Sequence, residues 1–486
     1  MSALRFILQG IAKPDSSPCW DQEVVGMTAD SREVEPGWIF FAIPGFQSDG
    51  HDFIPEALAR GALAVVSEKT VESATVPVLV VRNSRRATAE AAHRFYQVPF
   101  KDLHLIGITG TNGKTTSAYM LETILKEAGR KTGLIGTVQY RWANKVRDAV
   151  RTTPDAIEMH RLLNEMAKDG VAAVVMEVSS HALSLDRVLG FPFKAALFTN
   201  LSRDHLDFHE TFEAYAEAKS RLFAMLNGSI GVINGDDPEA VLMQKASTGP
   251  SVLFGEDGTR NDYVIRDIRF SEAGSSFILS HQDKHYDLAT PLWGRFNVAN
   301  AAGVAVTALE LGYPLQAVQS GLRKLDRVPG RMEGILSRSG FRVVVDYAHT
   351  PDALKNVLKT ARDFTSNHLI TVFGCGGDRD RGKRPEMGAI AERWSDRIVV
   401  TSDNPRTEEP DAIIREILAG LGSPSRAEVL SDRREAIASA IQSASEGDTI
   451  LIAGKGHETY QEVMGKRTHF DDREVVLSIL NQTEKA

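Results

Sequence analysis

Residues 103–129 read LHLIGITGTNGKTTSAYMLETILKEAG, and this stretch decides the fold class of the chain. A short apolar run beginning at Leu103 leads into a glycine-rich turn, and the residues from Thr115 to Ala128 then follow helical spacing up to Gly129. The segment therefore predicts a strand, a loop and a helix. In such a unit the backbone N–H groups of the loop and the N-terminus of the helix point at the same place and can bind phosphate.

Strands and helices go on alternating after this unit. The apolar runs are GLIGTV, VAAVVMEV, KAALFTNL and GVIN, and a second series contains FRVVVDY, LITVFGCG, DRIVVTSD and DTILIAGKG. Continuous apolar strands separated by helices are typical of parallel sheets that are covered on both faces. Residues 251–292, between the two series, contain shorter alternating segments that predict antiparallel strands.

The length and these changes of pattern predict three domains. A chain of 486 residues is too long for one hydrophobic core. We expect an α/β protein with domains at 1–101, 102–331 and 332–486. The first is a small mixed α/β domain, the second a P-loop ATPase-like parallel sheet with helices on both faces, and the third a Rossmann-like α/β domain.

The composition excludes several classes of protein. A net charge of -8 argues against a general affinity for nucleic acid or for anionic membranes. The two cysteines, Cys19 and Cys375, are far apart, which argues against a disulfide framework and favours a reducing compartment. No apolar run approaches the ~20 residues that span a bilayer, and the N-terminus has no export signal, so we expect a cytoplasmic protein.

The glycine-rich loop itself predicts a binding site for ATP. In GITGTNGKTT, residues 107–116, Lys114 would reach the β- and γ-phosphates and the Thr115 hydroxyl would hold Mg²⁺. The match to the general P-loop pattern is imperfect, because Ile108 stands where that pattern has glycine. The simpler alternative is a tight turn without a ligand. A P-loop alone would fit motors, switches and kinases equally well.

Acids and imidazoles follow two neighbouring strands of the predicted sheet. Glu177 ends VAAVVMEV, and the sequence DHLDFH, which contains Asp204 and His205, follows KAALFTNL. Ligand sites of open α/β sheets lie at this carboxyl edge, so we expect both groups beside the phosphate loop. A solvated polar loop is the alternative interpretation of either group alone.

Lys219 falls on the apolar stripe of its helix, four residues after Tyr215 and four before Phe223. A bare ammonium there is costly unless it is paired or neutralised. One interpretation is a lysine that extends to solvent or joins a salt bridge. The other is a lysine of lowered pKa that adds CO₂ and becomes a carbamate, which turns a cation into a metal-binding anion.

The whole set of motifs resembles the Mur ligases. In chain order these motifs are TGTNGKTT, MEVSSHAL, NLSRDHLDFH, AYAEAKSRLF, GRFNVANA, PGRME, DYAHTPDA, GCGGDRDRGKRPEMG, SDNPR and AGKGHE. The resemblance covers nearly all of the chain and is strongest to the members that add meso-diaminopimelate to UDP-N-acetylmuramoyl-L-alanyl-D-glutamate. It implies a cytoplasmic, monomeric, ATP-dependent ligase of peptidoglycan synthesis that forms an amide through an acyl phosphate.

The resemblance also implies roles for individual residues. The catalytic set would be Lys114, Glu177, His205 and Lys219. The ATP site would comprise Gly110, Thr111, Asn112, Gly113, Lys114, Thr115, Thr116, Asn297, Asn300, Arg331 and Asp346. Two Mg²⁺ ions would be held by Thr115, Glu177, His205 and carbamylated Lys219. Contacts to the UDP-linked precursor would come from Ser31, Thr152, Thr153, Ser179 and Arg187.

The positions of two arginines predict how the protein selects its amino acid substrate. Arg379 and Arg406 each follow a strand of the second series, and two guanidiniums there can bind one carboxylate bidentately. Arginines on solvated loops are the alternative. By the resemblance, Arg406 at the end of SDNPR marks enzymes for diaminopimelate, whose distal carboxylate lysine lacks. The other residues that it implies at this site are Asp403, Asn404, Gly454 and Glu458.

Other functions stay open at this point. A lysine-adding ligase and a folylpolyglutamate synthetase share the phosphate loop, but ADSREVEPGWIFFAIPG and SDNPR disfavour the second. A P-loop switch or motor belongs to a different class and would hydrolyse ATP without an amino acid acceptor. A catalytically silent nucleotide-sugar sensor is disfavoured because the predicted ATP and metal residues form a complete set.

Overall fold

The N-terminal part of this computed structural model is built around a small parallel sheet. The structure describes residues 2–11, 18–46, 48–71, 76–271 and 273–483. An antiparallel pair, β1 (Ser2–Ala3) and β2 (Glu23–Val24), precedes the four-stranded sheet β3 (Gly26–Thr28), β4 (Trp38–Phe41), β5 (Ala64–Ser67) and β6 (Val78–Val80). The helices here are α1 (Leu4–Ile7), α2 (Ile54–Ala59) and α3 (Ser84–Tyr96), with 3-10 turns at Pro18–Asp21, Ser31–Glu33 and Gly50–Phe53.

Eleven strands form the central sheet. They are β7 (His104–Thr109), β8 (Thr132–Ile135), β9 (Gln139–Trp142), β10 (Lys145–Asp148), β11 (Ala173–Glu177), β12 (Phe193–Phe198), β13 (Ile230–Asn234), β14 (Ser251–Gly255), β15 (Tyr263–Ser271), β16 (Gly274–His281) and β17 (Lys284–Thr290). Their spatial order is β10-β9-β8-β11-β7-β12-β13-β14-β15-β16-β17.

Helices cover both faces of this sheet. They are α4 (Lys114–Glu127), α5 (Ala156–Lys168), α6 (Ser180–Ser184), α7 (Leu206–His209), α8 (Phe212–Ala224), α9 (Ala240–Ala246), α10 (Arg295–Glu310) and α11 (Leu315–Arg323). Neighbouring residues of β7 enter different cores: Ile106 packs with Val298 of α10, whereas Leu105 packs with Leu222 of α8. The predicted parallel sheet with two covered faces is confirmed.

The prediction for residues 251–292 was right in part. β15, β16 and β17 are antiparallel to one another, as expected. β14 instead pairs in parallel with β13 and with β15, so the antiparallel prediction was wrong for Ser251–Gly255. Phe254 of β14 lies in the same core as the helix α10, and the pairing of β14 with the parallel strand β13 determines its direction.

The C-terminal part contains a six-stranded sheet of order β18-β19-β23-β20-β21-β22. Its strands are β18 (Glu333–Leu336), β19 (Arg342–Asp346), β20 (Leu369–Phe373), β21 (Arg397–Val400), β22 (Ala427–Val429) and β23 (Thr449–Ala453), and a hairpin of β24 (Tyr460–Val463) and β25 (Lys466–His469) follows. All except the edge strand β18 run parallel, which confirms the predicted Rossmann-like sheet. The helices are α12 (Pro351–Phe364), α13 (Lys383–Trp394), α14 (Pro410–Leu418), α15 (Arg433–Gln442) and α16 (Asp472–Thr483), with a 3-10 turn at Pro424–Arg426.

Both cysteines lie in hydrophobic cores. Cys19 belongs to the core of the N-terminal sheet region, and Cys375 belongs to a core of the C-terminal sheet. Among the described residues, no helix combines the length and the apolarity needed to cross a membrane.

Candidate active site at the junction of two sheets

The phosphate loop lies between β7 and α4, as the sequence predicts. Gly113 has a φ of +85° and caps α4, and a Cβ there would lie 2.3 Å from Asn300 Oδ1. Thr111 N donates to Asn200 O at 2.8 Å, and Asn112 N donates to Asn200 Oδ1 at 2.9 Å. The loop that follows β12 therefore holds the phosphate loop in place.

Lys114 lies across this loop. Its Nζ donates to Gly110 O and to Thr111 O, both at 2.8 Å. Desolvation lowers the pKa of the Lys114 ammonium, and the charges of Glu177 and Asp204 oppose that shift. Carbonyl contacts of this kind can be exchanged for phosphate oxygens, which form stronger, charge-assisted hydrogen bonds with an ammonium.

Glu177 is fully buried at the end of β11 and is bound by hydroxyl groups. Its Oε2 accepts from Thr115 Oγ1 and from Thr137 Oγ1, both at 3.0 Å, and its Oε1 accepts from Thr137 N at 2.8 Å. This network places a carboxylate beside the first turn of α4, where the positive end of the helix dipole favours negative charge.

The residues predicted to contact the precursor surround Glu177. Thr152 Oγ1 lies 3.0 Å from Thr137 Oγ1, and Thr153 Oγ1 donates to Glu177 O at 2.8 Å. Ser179 N donates to Thr153 Oγ1 at 3.0 Å, and Arg187 donates to Thr153 O at 2.9 Å. The structure therefore brings four of the five predicted precursor-contacting residues together. Ser31 lies apart, in the N-terminal sheet region, where its hydroxyl donates to Glu56 Oε2 at 2.6 Å.

Lys219 points inward from α8 and is 1% exposed, as its place on the apolar stripe predicts. Its Nζ donates to Gly110 O at 2.7 Å and lies 4.4 Å from the centre of the Tyr215 ring. Burial, reinforced by the charge of Lys114, lowers the pKa of Lys219 well below its usual value. A lowered pKa increases the share of neutral amine, which is the form that reacts with CO₂.

His205 and Lys219 both lie near the ring of Tyr215. The centres of the His205 and Tyr215 rings are 6.1 Å apart, and His205 Nε2 lies 3.4 Å from Asp204 Oδ2. Burial lowers the pKa of His205 to about 4, although Asp204 opposes the shift. A neutral imidazole is the form that binds metal ions.

These side chains fit a hard divalent cation only with help from a bound ligand. Within the residues that the structure describes, no group of three or more His, Cys, Asp or Glu side chains converges on one point. Mg²⁺ usually keeps several waters and takes one or two carboxylates together with substrate phosphates. The Thr115 hydroxyl and the Glu177 carboxylate match that requirement.

A cavity of about 690 Å³ opens beside the phosphate loop. All four residues that the resemblance implies for the nucleotide, apart from the loop itself, line it: Asn297, Asn300, Arg331 and Asp346. Burial raises the pKa of Asp346, and Arg331 opposes that shift. Asp346 accepts from Met332 N and Ala348 N, both at 2.7 Å, so it connects the segment that leads from the central sheet into β18 with the loop that follows β19.

Several side-chain contacts cross this junction, and three of them lie near the cavity. Arg331 donates to Thr115 Oγ1 at 3.3 Å, and Asn112 Nδ2 donates to Asp352 Oδ2 at 3.2 Å. Arg203 Nε lies 3.4 Å from Asp380 Oδ2. The carboxyl ends of strands from both sheets therefore face one another across the large cavity.

A second cavity of about 160 Å³ adjoins the first on the C-terminal side. All six residues predicted to choose the amino acid line it: Arg379, Asp403, Asn404, Arg406, Gly454 and Glu458. Arg406 NH1 donates to Gly377 O at 2.7 Å, and its backbone N donates to Glu462 O at 3.0 Å, so the hairpin β24–β25 holds its loop. Arg379 NH1 donates to Asp378 O at 2.9 Å.

The two cavities share a wall made of Asp204, His205, Tyr347 and His349. His349 Nδ1 lies 2.8 Å from Tyr347 O, and burial lowers the pKa of His349 to about 4. Ligands in the two cavities would thus meet at this wall.

Sequence reasoning missed several residues at these cavities, among them Thr137, Tyr347, His349 and Asp352. Thr137 follows β8 at the edge where Glu177 ends β11, so the rule that located Glu177 would have found it. Tyr347, His349 and Asp352 all belong to DYAHTPDA, from which only Asp346 was chosen.

Three family models match the chain in the order of its sheets. They are the Mur ligase family catalytic domain at residues 23–96, the Mur ligase middle domain at 108–308 and the Mur ligase glutamate ligase domain at 330–456. The chain belongs to the Mur ligase family. This result confirms the resemblance drawn from the motifs.

Relatives within the Mur ligase family match the chain from end to end. The UDP-N-acetylmuramoyl-L-alanyl-D-glutamate–2,6-diaminopimelate ligase of Aquifex aeolicus is 46% identical over 459 residues, which are 94% of each chain. A solved structure of a ligase of the same name is 38% identical, with a TM-score of 0.72 and 99% of each chain covered. The MurF ligase of Thermotoga maritima in complex with ADP is 22% identical, with a TM-score of 0.65, covering 95% of this chain and 98% of the other. At that identity the last match supports the fold alone.

Proposed function

We propose that the chain is an ATP-dependent amide ligase that adds meso-diaminopimelate to UDP-N-acetylmuramoyl-L-alanyl-D-glutamate. The observation that carries this proposal is the shared wall between the two cavities, with a phosphate loop in one and two arginines with two acids in the other. The names of the relatives at 46% and 42% identity support the same activity. The phosphate loop that lines the large cavity supports ATP as its nucleotide.

The reaction needs two displacements. A carboxylate oxygen of the precursor attacks the γ-phosphorus of ATP and releases ADP, which gives an acyl phosphate. The amine of diaminopimelate then attacks the acyl carbon, loses a proton and releases phosphate. No protein nucleophile is required, and the protein contributes by positioning the reactants and by stabilising charge.

The residues of the large cavity would divide this work. Lys114 would exchange its loop carbonyls for the β- and γ-phosphates, and Asn297, Asn300, Arg331 and Asp346 would hold the rest of the nucleotide. Mg²⁺ bound at Thr115 and Glu177, with a second ion at His205 and a carbamate on Lys219, would supply charge neutralisation. Thr152, Thr153, Ser179 and Arg187 would direct the precursor's carboxylate toward the γ-phosphate.

The smaller cavity would bind the incoming amino acid. Arg379 and Arg406 would bind the distal carboxylate, while Asp403 and Glu458 would pair with the distal ammonium. Ser31, in the N-terminal sheet region, would contact the uridine end of the precursor. On this proposal the domains at 1–101, 102–331 and 332–486 bind the precursor, ATP and the amino acid, respectively.

A product mass measurement tests the proposal. The full chain is incubated with ATP, Mg²⁺ and the UDP-muramoyl dipeptide, and with either meso-diaminopimelate or L-lysine. We expect one diaminopimelate residue to be added per ADP formed, and little addition of lysine. Equal use of lysine would contradict the choice of amino acid. Steady ATP hydrolysis without either amine would favour a P-loop switch.

A further inference from the structure

Lys455 lies directly behind the smaller cavity and does not line it. It is 0% exposed and lies in the sequence AGKGHE, two residues after the end of β23. A buried ammonium is costly unless its three N–H groups find acceptors. The acceptors of Lys455 therefore show which parts of the site it holds.

Three acceptors surround the Lys455 ammonium. Asn404 Oδ1 lies at 3.2 Å and Glu458 Oε2 at 3.4 Å, and the carbonyl of Tyr460 completes the set. These groups come from three different segments: the loop after β21, the loop after β23 and the strand β24. One side chain thus connects the Asn404 loop, Glu458 and the hairpin that covers them.

The amide of Asn404 transmits this contact to Glu458. Asn404 Oδ1 accepts from Lys455 and from Glu462 N at 3.0 Å, and both of these groups can only donate. The oxygen of the amide must therefore face Lys455, and Asn404 Nδ2 must face Glu458, to which it donates at 2.7 Å. Without the ammonium, one of the two donors that determine this orientation is lost.

Both contacts to Glu458 fall on Oε2. Oε1 makes no hydrogen bond within the described part of the chain, and Glu458 lines the smaller cavity. Asp403 lines the same cavity, so its negative charge repels that of Glu458, and the nearby Lys455 offsets the repulsion. Lys455 therefore acts on both the orientation and the charge of Glu458.

We propose that Lys455 is a positioning residue for the amino acid substrate: it orients Asn404 and Glu458 so that the free oxygen of Glu458 faces a distal ammonium group. This inference rests on the proposed function, since it names what makes the smaller cavity selective for a diamino acid. Lys455 itself touches no reacting atom.

The test compares Lys455→Met in the full chain with Lys466→Met, an exposed lysine of the β24–β25 hairpin that Lys455 contacts. Loss of the ammonium that donates to Asn404 and Glu458 should raise the KM for diaminopimelate about tenfold to a hundredfold. The KM for ATP should stay within about twofold of the unmodified enzyme, because no ATP contact changes. Lys466→Met should leave both constants unchanged. Equal rises in both KM values would show a merely structural role and overturn the inference.

A double variant separates positioning from an independent contribution. If Lys455 acts through Glu458, then Lys455→Met combined with Glu458→Gln should be no worse than the poorer single variant. Multiplying effects would overturn the inference. If Lys455→Met does not fold, Lys455→Gln, which keeps a donor, enters both measurements with a smaller expected rise. An unmodified enzyme that adds no diaminopimelate would refute the proposed function, whereas normal addition with an unaffected Lys455→Met would refute this inference alone.

Discussion

The two cavities each have a buried lysine nearby, and the surroundings of the two lysines differ. Lys219, near the phosphate loop, has one carbonyl acceptor and the face of Tyr215, and its pKa is lowered. Lys455, behind the smaller cavity, has three acceptors, one of them a carboxylate. A buried ammonium with few acceptors has a lowered pKa, whereas one with several acceptors can organise the groups that accept from it.

The largest effect is expected at Lys219. Lys219→Ala should lower the rate of ligation by roughly a thousandfold, because the group that would become a metal-binding carbamate is lost. A short carboxylate added to the solution should restore part of the rate. Lys194→Ala, at the single exposed position of the otherwise buried β12, should leave the rate unchanged. Full activity of Lys219→Ala, measured as ADP release, would contradict the carbamate hypothesis. It would also show that the two buried lysines do not differ in function as proposed.

A substitution of Arg406 tests whether the smaller cavity binds the amino acid independently of the ATP site. Arg406→Ala should raise the KM for diaminopimelate by about tenfold to a hundredfold through loss of a charge-assisted pair, with the KM for ATP unchanged. Arg415→Ala, on the exposed side of α14, is the matched control. An unaltered KM for diaminopimelate in Arg406→Ala would mean that the guanidinium does not bind the substrate.

His160 is another buried base, and it forms no ion pair with the described residues. Its Nδ1 lies 2.8 Å from Ala156 O, and its Nε2 has no hydrogen bond among the described residues. Burial lowers the pKa of His160 to about 4, below the 6.5 of an exposed imidazole. The unfolded chain therefore takes up the proton first as the pH falls from 6.5 toward 4, and the folded state loses stability over that range.

This effect is the smallest of those predicted for single residues. Lowering the pH from 7 to 5 should cost about 2 kcal/mol of unfolding free energy through this group. His160→Gln should remove that part of the pH dependence in denaturant unfolding, and His285→Gln, at an exposed position, should not. An unchanged pH dependence in His160→Gln would show that the imidazole is not held neutral.

The two cavities also differ in how far the sequence alone predicts them. The phosphate loop is one continuous segment whose function depends on backbone N–H groups and a helix end, so its spacing is directly visible. The smaller cavity is assembled from separate loops and a hairpin. Its two arginines, Arg379 and Arg406, were found from their place after predicted strands, and four further lining residues came from the family resemblance. Tyr347 and His349 were missed, and Lys455, which does not line the cavity, became evident only from three-dimensional contacts.

The fold, too, is predicted from the sequence in some parts and not in others. Continuous apolar runs separated by helices predict the parallel sheets because the inner strands, such as β7, β11 and β20, are buried on both faces. Ser251–Gly255 was misassigned as antiparallel since its short run gives no sign of the direction of its partner, and pairing with β13 decides that direction. Lys219 was correctly predicted to be buried because helical spacing alone places it on the apolar stripe.

Oxygen transfer is the most direct test of the idea that both cavities act on one carboxylate. Both oxygens of the D-glutamate carboxylate that accepts the amine are labelled with ¹⁸O. The labelled precursor is incubated with the enzyme, ATP, Mg²⁺ and diaminopimelate, and the phosphate that is released is analysed by mass spectrometry. Passage through an acyl phosphate predicts one ¹⁸O atom in each phosphate released. Unlabelled phosphate would mean that water attacks ATP directly and would contradict the account.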